Sequence, residues 1–408
     1  MSGAERETIT LAEYRPQSLP RVALPEASGE LLWRQYSTQV AVEFPSPITS
    51  DQWRLTAQGW VGYIPLTSTL GLSLLPKVPI QSLFGMLEYA YGQQTFQILS
   101  GLYDTQSLDE LYERLAEVLA RRVLRRCRDG LVRSYIAETE ELSVVRGSLN
   151  VRRMAQRPWD TRLECTYHEH TADIDDNQIL AWTLFIIERS GLCRPERALP
   201  IVHQAFRQLQ GTVALVPVTA AACTNRRYHR LNSDYAPLHA LCRFFLDNSG
   251  PHYGVGDKAM VPFLIDMARL YEQFVAAWMQ AHLPPAVRLD QQVPYRIDAA
   301  SGLEFRIDVV LTDAASGRTR CVLDTKYKRV SAPSTDDIAQ IVAYAEAKGC
   351  QDAILAYPFP PTRPLDAYVG DVRVRSVVFA LDAELEQAGQ AFLQQVLGKD
   401  LYAPAHIG

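Results

Sequence analysis

The stretch from Leu303 to Lys328, LEFRIDVVLTDAASGRTRCVLDTKYK, leaves little choice of local structure. Leu303, Phe305, Ile307, Val309 and Leu311 alternate with Glu304, Arg306 and Asp308. After a polar break, Cys321, Leu323 and Tyr327 alternate with Asp324, Lys326 and Lys328. A period of two marks a half-buried strand, and TDAASGRT between the arms has the Gly and small residues of a loop. The pattern predicts an antiparallel hairpin. With its loop centred near Ser316, Asp308 falls roughly opposite Asp324, and Lys326 follows on the same face.

Two carboxylates and an ammonium thereby meet on the polar face of an otherwise apolar hairpin. Like charges directly opposite on paired strands cost stability, so the arrangement calls for a cation between them. Two carboxylates plus water and substrate oxygens suit Mg²⁺, which keeps several waters and takes few protein ligands. Lys326 can then orient an attacking water and offset charge on a phosphorane. The competing reading is an ordinary solvated sheet face on which acids and bases neutralise each other.

At 408 residues and 47% hydrophobic, the chain can build two or three domains with real cores. A net charge of −5 excludes a protein that coats nucleic acid unaided, so any DNA contact is local or arranged by a partner. Seven scattered cysteines without a C-x-x-C fit reduced thiols rather than a disulfide framework or a zinc site. The N-terminus MSGAERETITLAEY has no apolar signal region and no run of 18 apolar residues occurs. The expectation is a soluble, cytoplasmic protein with no membrane partner.

Residues 1–76 read as a β-rich domain, with strands expected at Gln39–Phe44, Trp53–Thr56, Gly59–Leu66 and Leu70–Leu75. Trp33, Trp53, Trp60 and Tyr63 are expected in a core or interface. Residues 77–256 read as mainly helical. IQSLFGMLEYAYG carries a buried helix, and Ser107–Arg128 a long amphipathic one ending in Arg121, Arg122, Arg125, Arg126 and Arg128. That basic end suits the negative pole of the helix dipole or a phosphate backbone. Leu142–Arg152 is expected to be a hairpin turning at Arg146-Gly147. The run YHEHTADIDDN offers His168, His170, Asp173, Asp175 and Asp176, read as caps and dipole partners of the helix that follows rather than metal ligands. Further helices are expected at Pro195–Leu209 and Pro237–Asn248, and Ser249–Asp257 as a linker. No P-loop signature occurs.

Residues 257–408 are expected to form a helix over Val261–Ala281, a strand near Val287–Tyr295 and the hairpin. A helix over Ser334–Lys348, strands at Asp352–Tyr357 and Val372–Leu381, and a closing helix at Glu384–Leu397 follow. That order is a mixed sheet flanked by helices. It is also the order of the PD-(D/E)xK nuclease core. Asp308 and Asp324-Thr325-Lys326 resemble the acidic residue and D-x-K of that superfamily. Gln340 and Tyr344 resemble the Q-x-x-x-Y element of its RecB-like branch, one turn apart and on one face of their helix. Glu272 in LYEQFV falls where many members place a further acid.

Beyond that core, PKVPIQSLFGMLEYAYG (76–92), VVRGSLNVRR (144–153), DIDDNQILAWTL (173–184), MARLYEQFVAAW (267–278), RIDVVL, VLDTKYKRV and QIVAYA resemble the McrC family in family order. McrC proteins are the nuclease subunits of McrBC modification-dependent restriction systems. The resemblance implies an α+β multidomain chain ending in a PD-(D/E)xK nuclease domain that hydrolyses phosphodiesters with Mg²⁺ or Mn²⁺. It assigns Asp308, Asp324 and Glu272 to metal, Lys326 to the water and transition state, and Gln340 and Tyr344 to positioning. It implies a McrB-like AAA+ GTPase hexamer as partner, modified double-stranded DNA as substrate, a homodimer within the assembly, and an N-terminal β region that faces the motor. The alternatives are a stand-alone RecB-like repair nuclease and a non-catalytic activator of an AAA+ partner.

Overall fold

The computed structural model describes residues 7–67, 69–92, 107–157, 159–250, 253–255, 258–296 and 304–398. Leu303 and parts of the expected linker (251, 252, 256 and 257) lie outside them. The chain forms two compact units, one of residues 1–106 and 264–408, the other of residues 107–263. The residues expected as a separate N-terminal domain thus share a unit with the C-terminal part. Among the described residues no helix is long and apolar enough to cross a membrane.

The first unit opens with β1 (Glu7–Ala12), β2 (Gln17–Pro20), helix α1 (Glu26–Gln35), β3 (Val40–Glu43), β4 (Gln52–Ala57), β5 (Trp60–Pro65), β6 (Leu70–Leu75) and helix α2 (Ile80–Tyr91). The four expected strands appear as β3 to β6; β1, β2 and α1 were not anticipated. β1 pairs in parallel with β6 and β6 antiparallel with β5, while β4 lies between β2 and β3. Trp53 and Tyr63 are buried as expected, whereas Trp33 is exposed.

The second unit contains helix α3 (Leu108–Asp129), β7 (Ser134–Leu142), β8 (Ser148–Leu149), helix α4 (Val151–Gln156), β9 (Leu163–Thr171), helices α5 (Asp175–Ser190), α6 (Leu199–Leu209) and α7 (Tyr235–Asp247), and the short pair β10 (Tyr253–Val255) and β11 (Lys258–Met260). Ser107 caps α3 by accepting the Glu110 N–H. At its basic end Arg121, Arg125 and Arg126 face Glu117, Asp129 and Asp234. The hairpin expected within Leu142–Arg152 does not form. Gly147 does turn the chain at φ 72°, but β7 and β8 both pair with β9, and the residues after β8 become α4. Local turn chemistry could not reveal a partner strand contributed from further along the chain.

β7, β8, α4 and β9 make an arm that leaves Tyr135, Val144, Val145, Val151, Met154 and Trp159 exposed. Its two roots are joined by one buried side chain. Asn177 Nδ2 donates to the carbonyls of Val132 (2.9 Å) and Ala172 (2.7 Å), and Tyr235 Oη donates to Asn177 Oδ1 (2.6 Å). The motif DIDDNQ therefore works chiefly as architecture. His168 and His170 lie on β9, Asp176 pairs with Arg226, and Asp173 accepts from Gln178 and Ala214. The capping part of the earlier reading is corrected: the residue before α5 is Ile174, with no side-chain cap, although Asp175 and Asp176 do occupy the first turn.

The remainder of the first unit is β12 (Phe263–Asp266), helix α8 (Met267–His282), β13 (Val287–Arg296), β14 (Glu304–Asp313), β15 (Thr319–Thr325), helix α9 (Thr335–Lys348), β16 (Asp352–Tyr357), β17 (Asp366–Val369), β18 (Val372–Val378) and helix α10 (Leu385–Leu397). The helix expected from Val261 begins later. Phe263–Asp266 instead completes the sheet β1-β6-β5-β12, and Asp266 caps α8 by accepting the Ala268 and Arg269 N–H groups. The six-stranded sheet runs β13-β14-β15-β16-β18-β17. Its β13-β14-β15 half is antiparallel, β15-β16-β18 is parallel, and β17 is an unanticipated antiparallel edge.

A buried cluster joins Ile307, Val310, Val322, Leu355 and Val374 of this sheet to Ile341, Tyr344 and Ala345 of α9. An aromatic layer joins α8 to α10, with Phe379 against Phe274, Trp278 and Phe392. Gly389 permits this approach, since a Cβ there would stand 2.2 Å from the Trp278 ring. Strand β14 is buried on both faces beyond Asp308, so the half-buried reading holds only for its first residues.

Candidate active site

The register Val309↔Leu323 and Val310↔Val322 carries on to set Asp308 opposite Asp324. The expected hairpin geometry is therefore present, with a bulge displaced to Leu311/Thr312 near the loop. Asp308 Oδ2 accepts both the backbone N–H (2.9 Å) and the hydroxyl (3.0 Å) of Thr325. The middle residue of D-T-K thus fixes the opposing carboxylate. Lys326 Nζ stands 2.7 Å from Asp324 Oδ2 and donates to Gln340 Oε1 at 2.9 Å. Gln340 Nε2 in turn donates to Tyr344 Oη at 2.7 Å. The helix spacing predicted for the last two residues is thus realised as a relay into the site.

Three further residues join this group without having been singled out for it. Thr325 is the first. Asp337, in the first turn of α9, lies 3.7 Å from the Lys326 ammonium and also contacts Lys328. Its sequence signal was only that of a first-turn acid behind the Ser334 cap. Gln292 is the third: it faces Asp308 in the β13–β14 register, has φ 48°, and donates to Glu272. A non-glycine residue held in the left-handed region within a strand is costly, and such strain gathers at functional sites. Dihedral strain leaves no mark in a sequence.

The electrostatics are those of an acid-rich, partly dry site. Burial first, then the Asp308 charge, push Asp324 up to about 6. Burial and the charge of Asp308 push Glu272 up to about 7. Asp308 is also raised, chiefly by burial and against its two bonds from Thr325. Burial works against the charge on Lys326, but Asp324, Asp337 and Asp308 outweigh it and hold the pKa above the ordinary value. Asp324 Oδ2 is buried without an in-line hydrogen-bond donor, its charge met by the ammonium alongside.

These residues fit a divalent cation. Asp324 is buried with only the Lys326 ammonium against it, and the Asp308 charge adds to burial in raising both Asp324 and Glu272, as expected where a further positive charge would relieve the acids. Among the described residues no three His, Cys, Asp or Glu side chains enclose a point by themselves. That suits an ion held by one or two carboxylates plus water, the habit of Mg²⁺.

A family model described as "McrBC 5-methylcytosine restriction system component" matches residues 55–358. The chain belongs to that family. The stretch matched to the McrBC model takes in Glu272, Asp308, Asp324, Lys326, Gln340 and Tyr344. Among solved structures, a chain of the Thermococcus gammatolerans half-complex of McrB AAA+ hexamers with bound McrC is similar in fold. It is 17% identical, with 96% of this chain and 99% of that chain covered at a TM-score of 0.56. A chain of the T. gammatolerans McrBC complex is 20% identical, covering 66% of this chain and 86% of that one, at a TM-score of 0.42. No curated protein matches the chain significantly.

Proposed function

We propose that this McrBC-family chain is the DNA-cleaving subunit of a modification-dependent restriction system, with a PD-(D/E)xK core that hydrolyses phosphodiesters. The observation that supports it most is the convergence of Asp308, Asp324 and Lys326 at the open end of one hairpin, where the acids outnumber the one ammonium that reaches Asp324. Asp308 and Asp324 would hold Mg²⁺, and Glu272, which feels the charges of both, would be the further acid available to it. When bound, the ion supplies Lewis acidity and a lowered pKa for the attacking water. Lys326 holds its proton firmly, so its part is to donate to the water or to the developing phosphorane rather than to act as a base. Gln340, locked between Lys326 and Tyr344, fixes the direction of that donation.

The partner follows from the McrB AAA+ hexamers in the similar structure. We place a McrB-like GTPase hexamer on this chain as recogniser of modified DNA and translocator, while this chain stimulates hydrolysis and cuts, with two copies meeting for a double-strand break. The sequence pointed to residues 1–76 as the docking region. The arm of the second unit also exposes Val144, Val145, Val151, Met154 and Trp159, all between the end of β7 and the start of β9, and we add this tip to the motor-docking surface.

The test compares cleavage of methylated and unmethylated plasmid by wild type and Asp324→Ala, with Mg²⁺, with and without the motor and GTP. Cutting that needs methylation, motor and nucleotide and vanishes in the variant is the expected result. Cutting by the isolated chain would favour a stand-alone nuclease. Undiminished cutting by Asp324→Ala would place the active site elsewhere.

A further inference from the structure

Tyr327, next in sequence to Lys326, points the opposite way, as alternation along an extended segment requires. It enters a buried socket built by the N-terminal strands. Glu13 follows directly on β1 and Lys77 lies just beyond β6; because β1 and β6 are parallel and in register, their ends come together. Glu13 Oε2 accepts the Lys77 backbone N–H at 3.0 Å and the Tyr327 hydroxyl at 3.2 Å, and its side chain is wholly buried. The Lys77 ammonium stands 3.7 Å from Glu13 Oε1. It lies over the Tyr327 ring at 3.8 Å and donates to the Tyr327 carbonyl oxygen at 3.4 Å. Tyr271 of α8 closes the socket with its ring centroid 5.9 Å from that of Tyr327.

Burying a carboxylate and an ammonium is expensive unless both are well paired, and an all-apolar socket would hold a tyrosine ring as firmly. What the pair adds is direction. Glu13 holds the hydroxyl, while the Lys77 ammonium holds both the ring and the backbone carbonyl of the same residue. The peptide preceding Lys326 is fixed from the sheet side as well, where the Lys326 N–H donates to the Ala356 carbonyl at 2.8 Å. Lys326 is thus anchored by backbone on both sides before its side chain reaches Asp324 and Gln340.

We propose that Glu13, Lys77 and Tyr327 form a clamp that positions Lys326 for DNA cleavage, making the N-terminal β region a working part of the catalytic centre. None of the three reaches the site itself; they are positioning residues, and the inference rests on the nuclease reading above.

The experiment is single-turnover cleavage in the complete assembly with motor, nucleotide and Mg²⁺, comparing wild type, Lys326→Met, Tyr327→Phe, Lys77→Arg and the double variant Glu13→Gln/Lys77→Met. The double variant removes both charges together and so leaves no unpaired ion to unfold the chain. It should cut about 10- to 100-fold more slowly, the scale of a small misplacement, with KM for DNA and thermal midpoint close to wild type. Lys77→Arg, which keeps charge and donor, should recover most of the rate. Tyr327→Phe should fall between wild type and the double variant, and gives the same ordering should the double variant lose stability. Wild-type kcat in both the double variant and Tyr327→Phe, with Lys326→Met inactive, would overturn the clamp alone. A Lys326→Met that still cuts would overturn the clamp together with the active-site assignment.

Discussion

Glu13–Lys77 and Asp324–Lys326 are both buried carboxylate–ammonium pairs, yet their surroundings drive them in different directions. In the first, burial raises Glu13 and lowers Lys77, pushing both towards neutrality. In the second, Asp324 is raised but Lys326 is raised too, because Asp324, Asp337 and Asp308 share its single ammonium. The first pair balances one charge with one and is walled by Tyr14 and Tyr327. The second is a surplus of acid. What separates the two pairs is therefore the local charge count. A surplus leaves room for a cation that a balanced pair would repel.

The sharpest way to break the comparison is to neutralise one acid from each. Asp324→Asn should abolish cleavage, with a loss of at least about 10³-fold on the scale of other transition-state groups. It should also raise the metal-free thermal midpoint, because a carboxylate held up at about 6 costs roughly 1–2 kcal/mol when ionised. A melting curve without divalent ions checks this, and a lower midpoint would count against the acid-surplus account. Lys77→Met should do the reverse to stability. Leaving Glu13 buried without its counter-ion should cost about 3 kcal/mol, read by chemical denaturation. Equal destabilisation by Lys326→Met would erase the distinction, since Lys326 leaves behind acids that can share a proton or a metal.

A pH series sharpens the same point. Asp324 at about 6 and Glu272 at about 7 bind protons more tightly folded than unfolded. Their penalty is absent below the ordinary carboxylate range. It grows as pH rises through the interval up to about 7 and is constant above it. The stability of wild type relative to Asp324→Asn should therefore fall between pH about 4 and about 7 without metal, and Mg²⁺ should restore it at pH about 8. A flat difference would show that Asp324 is not held above the ordinary carboxylate range by its burial and by the Asp308 charge. The smallest expected effect is purely steric. Gly389→Ala should cost about 1–3 kcal/mol by overpacking Trp278, with the cleavage rate per folded molecule unchanged.

Much of the site was legible because it is local. Asp308, Asp324, Lys326, Gln340 and Tyr344 come from one hairpin and the helix after it, so alternation and helical spacing were enough to bring them together. Asp337, Thr325 and Gln292 were missed for separate reasons. Asp337 looked like any helix-start acid, Thr325 is the unspecified letter of its motif, and Gln292 declares itself only through a backbone angle. The fold beyond the hairpin was read less well wherever partners are distant. β12 reads as the start of α8 because a short apolar strand and a buried helix turn look alike in a sequence. Leu142–Arg152 reads as a hairpin of its own because β9, the strand that both β7 and β8 pair with, lies too far along the chain to be inferred. Nothing in the residues near Lys326 announced that Glu13, more than three hundred positions away, would touch its neighbour.

The stitch at the roots of the arm has a mechanical consequence. One side-chain amide spans the carbonyls of Val132 and Ala172, so both legs of the arm are held by the same nitrogen. A force applied to the tip loads those two bonds in common, and neither can take the strain while the other is spared. The arm should then come away from its seat as one rigid lever, keeping the β7–β9 ladder intact, before it frays strand by strand.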